Sequence, residues 1–146
     1  QLEKLDEFVK RRIDIAKLYS EAVQNCDWLK PQKVPEGVVN TYWTYAMKLE
    51  GEDRGISWHH FRKAYLEHGG DPFYAAWKLT YMEPALAGMK FKENNIKYEK
   101  GLCPIAEEIQ PKMIQLKTNY GDMEYAKRQA LALEETIKKI DGLKKG

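Results

Sequence analysis

The feature that most constrains this chain is an apolar stripe running through its first 24 residues. Between positions 2 and 24, apolar side chains recur at spacings of three and four, the period of a helix with one buried face. A stripe of this kind must cover another part of the protein, so we expect helix 2–24 to pack against a neighbouring element. Its members include Leu2, Leu5, Phe8, Ile13, Ala16, Tyr19 and Val23.

A second apolar stripe lies near the other end of the chain and predicts a helix over about residues 122–140. The same spacing marks a coiled-coil seam. Because the stripe covers only two to three heptads, we expect it to pack onto the domain's own sheet rather than onto a second chain. Its members are Met123, Ala126, Ala130, Leu133, Ile137 and Ile140.

A strand is predicted between these helices, over residues 41–49, where the side chains alternate with a period of two and many are aromatic. The preceding segment, residues 28–40, contains Pro31, Pro35 and Gly37 and is expected to be a loop. The alternation puts one set of side chains on a common face, namely Thr41, Trp43, Tyr45, Met47 and Leu49. The opposite face then carries Tyr42, Thr44, Ala46 and Lys48.

The middle of the chain predicts a short helix followed by a short strand. Ser57 is suited to cap a helix that runs to about residue 68, and Gly69 with Gly70 ends it because glycine adopts the left-handed conformation. Residues 71–77 are expected to form a short strand running into a turn. The inward-facing side chains of the helix are predicted to be Phe61, Ala64 and Tyr65.

The last predicted element before the C-terminal helix begins at Pro104, which fits the first position of a helix to about residue 115. Pro111 should kink or shorten that helix. Few strands, grouped helices and no βαβ rhythm predict an α+β fold with a small, mostly antiparallel sheet packed against helices. The length of 146 residues predicts a single domain over residues 1–146.

Composition excludes several classes of function. The net charge is only +2, from 24 basic and 22 acidic residues that are interspersed, so no basic stripe for nucleic acid is present. No apolar run approaches the ~20 residues that a membrane helix needs. Cys26 and Cys103 form no CxxC pair, which favours a reduced, cytoplasmic protein over a secreted one.

The sequence predicts no metal site and no catalytic residue in this chain. His60 and His68 are eight positions apart on a helix, about 12 Å along its axis, too far to share one ion. Cys103 precedes a helix, yet no histidine lies close to it in sequence to act as a base. Glu107 and Glu108 diverge on their helix and are expected to be solvated.

The most unusual segment, Gly69–Lys78, combines two glycines with aromatic and charged residues. Asp71 and Lys78 offer charge, while Tyr74 and Trp77 offer stacking faces, which suits the wall of a pocket for a polar, partly aromatic ligand such as a nucleotide-sugar. A glycine cap followed by core aromatic residues would have the same composition, so both interpretations remain open.

Three segments together resemble the C-terminal region of the DegT–StrS sugar aminotransferases, which are fold-type I pyridoxal-phosphate (PLP) enzymes. Residues 11–19 resemble the family's R-R-x-x-I-A-x-x-Y helix, and residues 57–70 resemble its short helix that ends in glycine. Residues 103–107 match the family's C-P-x-A-E. The ordered set covers nearly the whole chain.

The resemblance implies a homodimeric enzyme that transfers an amino group, usually from glutamate, to a keto group on a nucleotide-linked sugar. It places the lysine that forms an imine with PLP in a large N-terminal domain upstream of Gln1, to which helix 2–24 would connect. This chain would then be the small C-terminal domain, which supplies substrate contacts and dimer packing and binds no PLP alone.

The resemblance also implies a substrate site. The family's His-Tyr pair falls near Ala75 and Ala76, so neighbouring side chains would have to serve instead. The predicted substrate-binding residues are Asp71, Tyr74, Trp77, Lys78, Asn119 and Tyr120. Two alternatives remain: a sugar dehydratase or sensor from the same PLP family, and a non-enzymatic interaction module that uses the Met123–Ile140 stripe.

Overall fold

A computed structural model describes residues 2–75, 78–86 and 96–142 of the chain. The described residues form four α-helices: α1 (Leu5–Val23), α2 (Trp58–Glu67), α3 (Pro104–Ile109) and α4 (Met123–Gly142). They also form four strands: β1 (Leu29–Pro31), β2 (Thr44–Leu49), β3 (Tyr74–Ala75) and β4 (Met113–Lys117). Short 3-10 turns occupy Leu2–Lys4, Glu52–Arg54, Thr80–Met82 and Gln110–Lys112.

The strands form one antiparallel sheet in the order β1-β2-β4-β3. The central pair aligns Thr44 with Lys117 and Met47 with Ile114. At the edge, Tyr74 lies opposite Gln115. This small antiparallel sheet with its helices confirms the predicted α+β fold.

Two strands correct the sequence prediction. β1 lies inside residues 28–40, which were expected to be a loop, and it ends at Pro31 on the sheet edge, where a missing N–H is tolerated. The helix expected to reach residue 115 stops at Ile109, because a 3-10 turn containing Pro111 interrupts it. The chain then continues as β4, a central strand of the sheet.

The predicted strand 41–49 is correct in its second half and wrong at its start. Tyr45, Met47 and Leu49 are buried on one face, as the alternation predicts. Trp43 should share that face, yet its side chain is 74% exposed. Trp43 precedes β2, which begins at Thr44, and Tyr42 before it has a left-handed φ of 49°, so residues 41–43 are not part of the regular strand.

α2 and α4 bury their predicted faces in a single core, and α1 does so only in its second half. Ala16, Tyr19 and Val23 are buried as expected, whereas Leu2, Leu5 and Phe8 are exposed, so the predicted stripe is wrong at its start. Ser57 caps α2 by accepting a hydrogen bond from the His60 N–H at 3.1 Å, and Phe61, Ala64 and Tyr65 are buried as expected. α4 packs along α1 and contacts α2, so its apolar stripe lies in the core of this chain. No described helix has both the length and the apolar character needed to cross a membrane.

Candidate functional site

The centre of the candidate site is the carboxylate of Asp71, which follows the two glycines after α2. The Tyr125 hydroxyl donates to Asp71 Oδ1 at 2.7 Å, and the Tyr120 hydroxyl donates to Asp71 Oδ2 at 3.1 Å. Lys117 Nζ lies 3.7 Å from the same Oδ2. The Asp71 side chain is 25% exposed, so the carboxylate is held from one side and open on another.

The backbone of this loop is held by Gln129, a buried residue of α4 that is 2% exposed. Its Oε1 accepts hydrogen bonds from the Asp71 N–H at 2.6 Å and from the Tyr65 hydroxyl at 3.1 Å. Its Nε2 donates to the Gly69 carbonyl at 3.3 Å. One amide therefore satisfies three buried or half-buried groups and fixes where the Asp71 carboxylate lies.

Both phenols of the cluster remain protonated at neutral pH. Burial, followed by the negative charge of Asp71, raises the pKa of Tyr120. The hydrogen bond to Asp71 is the main cause that raises the pKa of Tyr125. Each tyrosine is thus a fixed donor to the carboxylate rather than a base, so the cluster is suited to binding and orienting a polar ligand.

A groove of about 420 Å³ adjoins the cluster and brings together α1, the start of β2 and the end of β4. A smaller depression of about 280 Å³ shares three of its residues, Arg12, Asn119 and Tyr120. The combination of two cations, an exposed indole, an amide and a phenol gives the groove polar, charged and aromatic faces. The groove is lined by Arg12, Trp43, Thr44, Lys117, Asn119 and Tyr120.

The exposed indole belongs to a backbone segment that is tightly held. Arg12 Nη1 donates to the Trp43 carbonyl at 2.9 Å, and Thr118 Oγ1 lies 2.6 Å from the Tyr42 carbonyl, to which it donates. The Asn40 side chain accepts from the Tyr42 N–H at 2.9 Å. These bonds hold Tyr42 in its left-handed conformation, which persists only where the surroundings over-determine it.

The structure brings together some of the predicted substrate residues. Asp71 and Tyr120 are hydrogen-bonded, and Asn119 lines the groove beside Tyr120. Tyr74 contributes its backbone to β3, and Lys78 is exposed. Trp77 lies outside the described residues.

Several residues of the site were missed by sequence reasoning. Arg12 and Gln129 sit within or next to apolar helical stripes, where a polar residue that breaks the pattern was the only available signal. Tyr125 and Lys117 carried no signal, because their partners come from distant parts of the chain. Trp43 was expected within the strand, and it lies exposed just before β2.

Glu107, outside the groove, was expected to be solvated, and its carboxylate instead accepts several hydrogen bonds. Glu107 accepts hydrogen bonds from the N–H groups of Gly101, at 2.7 Å, and of Cys103, at 3.3 Å, and from the Tyr81 hydroxyl. The Tyr81 hydrogen bond is the main cause that lowers the pKa of Glu107. Glu107 thus ties the loop before α3 to the first turn of that helix.

The described residues contain few fully buried polar side chains. These belong to Thr118, Gln129 and Thr136. Within the described ranges, no group of three or more histidine, cysteine, aspartate or glutamate side chains could hold a metal ion.

The chain resembles known proteins in sequence profile and in fold. The fold is similar to the sugar aminotransferase CalS13 from Micromonospora echinospora, with a TM-score of 0.65, 16% identity, and coverage of 94% of this chain and 32% of that one. It is also similar to the aminotransferase TlmJ from Streptoalloteichus hindustanus, with a TM-score of 0.67, 17% identity, and coverage of 100% and 35%. A third similar structure is 3-amino-5-hydroxybenzoic acid synthase, with a TM-score of 0.62, 19% identity, and coverage of 95% and 36%.

The chain spans about a third of the length of each of these solved structures. Comparison with the curated proteins finds no match. The profile of the DegT/DnrJ/EryC1/StrS aminotransferase family matches residues 1–130, which is most of the chain. The protein therefore belongs to the DegT/DnrJ/EryC1/StrS aminotransferase family.

Proposed function

We propose that this chain is the C-terminal domain of a cytoplasmic, PLP-dependent aminotransferase that acts on a nucleotide-linked keto-sugar. The family match over residues 1–130 supports the reaction class, and a sugar aminotransferase is among the proteins that share the fold. The chain supplies substrate contacts and packing within a homodimer. PLP supplies the electron sink for transamination and is held by a large N-terminal domain beyond this chain.

The observation that carries the proposal is the oriented Asp71 carboxylate at the edge of the groove. Two phenols and Lys117 hold it, while a carboxylate has about four acceptor sites in all. The free lone pairs can accept hydrogen bonds from sugar hydroxyls. Asn119 and Tyr120 contribute further polar contacts from the groove wall. Tyr74, Trp77 and Lys78 remain proposed substrate residues on the strength of the family resemblance.

The alternatives differ in how they fit the structure. An interaction module would need the α4 stripe free for a partner, and that stripe is buried against α1 and α2. A sugar dehydratase or sensor would use the same binding groove without transferring an amino group, so the distinction lies in the reaction product.

The test is to assay the intact protein with glutamate and nucleotide-linked keto-sugars, and to compare wild type with Asp71→Asn and Tyr120→Phe. We expect Asp71→Asn to raise KM for the sugar roughly 10- to 100-fold, because a hydrogen bond to a charged group is lost. Tyr120→Phe should raise KM by less. Trp77→Ala and Lys78→Ala test the outer part of the site in the same assay.

Asp53→Asn is the matched control, because Asp53 is an exposed aspartate in the turn between β2 and α2. Its KM should equal that of wild type. An intact protein that aminates no nucleotide-linked sugar would refute the proposed activity. An active enzyme whose KM is unchanged by both Asp71→Asn and Tyr120→Phe would instead remove the Asp71 cluster from the substrate site.

A further inference from the structure

α4 holds Asp71 at two points, one on the backbone and one on the side chain. Gln129 Oε1 accepts a hydrogen bond from the Asp71 N–H at 2.6 Å, and the Tyr125 hydroxyl donates to Asp71 Oδ1 at 2.7 Å. Tyr125 and Gln129 are four positions apart on α4, so they lie on one face of a single helix. Because both bonds start from one rigid element, Asp71 and its carboxylate keep a fixed place beside α4.

The two carboxylate oxygens of Asp71 have different surroundings. Oδ2 accepts from the Tyr120 hydroxyl at 3.1 Å and lies 3.7 Å from Lys117 Nζ, and both of these residues line the groove. Oδ1 accepts the shorter bond, from Tyr125, which lies outside the groove lining. The firmer hydrogen bond is thus made on the α4 side, and the oxygen with longer contacts lies toward the groove.

The Tyr125 ring is itself kept in place. The Arg128 guanidinium lies over this ring, with 5.0 Å between its Cζ and the ring centroid, and the Tyr120 ring centroid is 5.2 Å away. The hydrogen bond to Asp71 is the main cause that raises the pKa of Tyr125, so the phenol remains a donor at neutral pH. A ring with these contacts can hold the carboxylate in one orientation.

We propose that Tyr125 is a positioning residue that acts through Asp71. Its hydroxyl fixes Oδ1, so that Oδ2 meets the sugar hydroxyls on the groove side. A carboxylate without this bond would rotate, and each ligand would have to order it at a cost in binding free energy. The inference rests on the proposed function, in which Asp71 contacts the sugar, and it adds a residue that touches no substrate.

The experiment measures binding to the intact protein by titration calorimetry. The probes are the glucose-linked forms of uridine and thymidine 5′-diphosphate, and the free diphosphates serve as comparisons. We expect Tyr125→Phe to weaken binding of a glucose-linked probe roughly three- to tenfold, because the carboxylate loses its shortest side-chain hydrogen bond. Binding of the free diphosphates should not change, since they carry no sugar for Asp71 to contact. A variant that merely loosened the fold would weaken both.

A double-mutant cycle shows whether Tyr125 acts through Asp71. Asp71→Ala removes the carboxylate, so adding Tyr125→Phe to it should weaken binding no further. Tyr81→Phe is the matched control, because the Tyr81 hydroxyl also donates to a carboxylate, that of Glu107, outside the groove. It should bind every probe as wild type does. In the amination assay, Tyr125→Phe should raise KM for the sugar by the same factor and change kcat by less than about twofold.

Three results overturn the inference. Neither glucose-linked probe binds, Tyr125→Phe binds them as tightly as wild type, or its loss of affinity is the same for the free diphosphates or without the Asp71 carboxylate. The third result would make Tyr125 a purely structural residue. Binding that needs Tyr125 through Asp71, without amination of any sugar, would refute the proposed function and keep this inference. Amination with a KM that Asp71→Asn raises and Tyr125→Phe does not would do the reverse.

Discussion

In two loops of this domain, a polar side chain from a helix holds the loop backbone by hydrogen bonds. One of these side chains is buried in the core, and the other lies beside the groove. Gln129 reaches from α4 to the backbone of residues 69–71, and Arg12 reaches from α1 to the backbone of residues 42–43. Gln129 is neutral and 2% exposed, and its side chain also accepts a hydrogen bond from the buried Tyr65 hydroxyl. Arg12 is charged, half-buried and faces a groove with an exposed indole beside it.

The difference shows how one type of contact serves packing in one place and ligand display in another. A neutral amide can be buried once its donors and acceptors are paired, so Gln129 costs little inside the core. A guanidinium remains charged whatever it donates to, so Arg12 fixes a loop and also sets the potential of the groove. Asp71 joins the two regions, because Gln129 holds its backbone while its carboxylate contacts Tyr120 and Lys117, which line the groove.

The largest effect is expected at Gly70, in the loop held by Gln129. A Cβ built at this position would lie 2.3 Å from the ring of Tyr65, a fully buried side chain that cannot move aside. Gly70→Ala should therefore lower the free energy of unfolding by about 3 kcal/mol through overpacking. Urea denaturation measures it.

Gly69→Ala is the matched control for that variant. Gly69 has a φ of +84°, and a Cβ there would meet nothing within 4 Å, so only the cost of the left-handed backbone applies. We expect a loss of about 1 kcal/mol. Equal losses at the two glycines would show that the loop shifts away from Tyr65. The Gln129 hydrogen bonds would then hold this loop less rigidly than the structure indicates.

The second prediction concerns the hydrogen bonds that the Gln129 side chain makes to residues 65, 69 and 71. Gln129→Leu leaves the Asp71 N–H without its acceptor and the Tyr65 hydroxyl with only the longer contact to the Gln129 carbonyl at 3.4 Å, which should cost about 2–3 kcal/mol of unfolding free energy. Thr136→Val is the control, because the Thr136 hydroxyl donates to the Ala132 carbonyl of its own helix. That variant should change stability by less than about 1 kcal/mol. A Gln129→Leu variant as stable as Thr136→Val would contradict the role given to the amide.

The third prediction concerns the outer loop. Arg12→Met keeps much of the aliphatic stem and removes the donors that hold the residue 42–43 backbone, so we expect a loss of about 2 kcal/mol in chemical denaturation. Arg11→Met is the neighbouring control, since Arg11 pairs with the exposed Glu7 and makes only one long backbone contact, to the Gly121 carbonyl at 3.4 Å, so it should contribute about 0.5 kcal/mol. If both arginines contribute equally, the Tyr42 backbone is not held by Arg12.

Much of the fold could be predicted because it depends on local patterns. The stripes of α1 and α4 and the Ser57 cap each lie within one segment, and the core faces of α4 and of β2 from Tyr45 onward followed directly from their periodicity. β4 was not predicted, because its alternation spans only five residues and because Pro111 was expected to kink or shorten the preceding helix rather than to precede a strand. Its pairing with β2 and β3 is a long-range property that no local pattern encodes.

The candidate site was predictable only in part for a related reason. Asp71 stood out because of the glycines and aromatic residues around it, and Asn119 with Tyr120 because they precede α4. The backbone at residues 42–43 is held by Arg12 and Thr118 from distant segments, so where β2 begins, and the exposure of Trp43 before it, could not be predicted from local alternation.

The smallest predicted effect concerns a third loop, the one before α3, whose backbone N–H groups donate to the Glu107 carboxylate. Its pKa is lowered mainly by the Tyr81 hydrogen bond, so its contribution to stability is complete at neutral pH and is lost as the pH falls through that lowered pKa. Glu107→Gln should therefore lower Tm by about 1–2 °C at pH 7 and by less as the pH falls toward 3. Glu108→Gln, at the exposed neighbouring position, should leave Tm unchanged throughout. A Glu107→Gln difference that stays constant with pH would mean that this loop is held by shape rather than by charge.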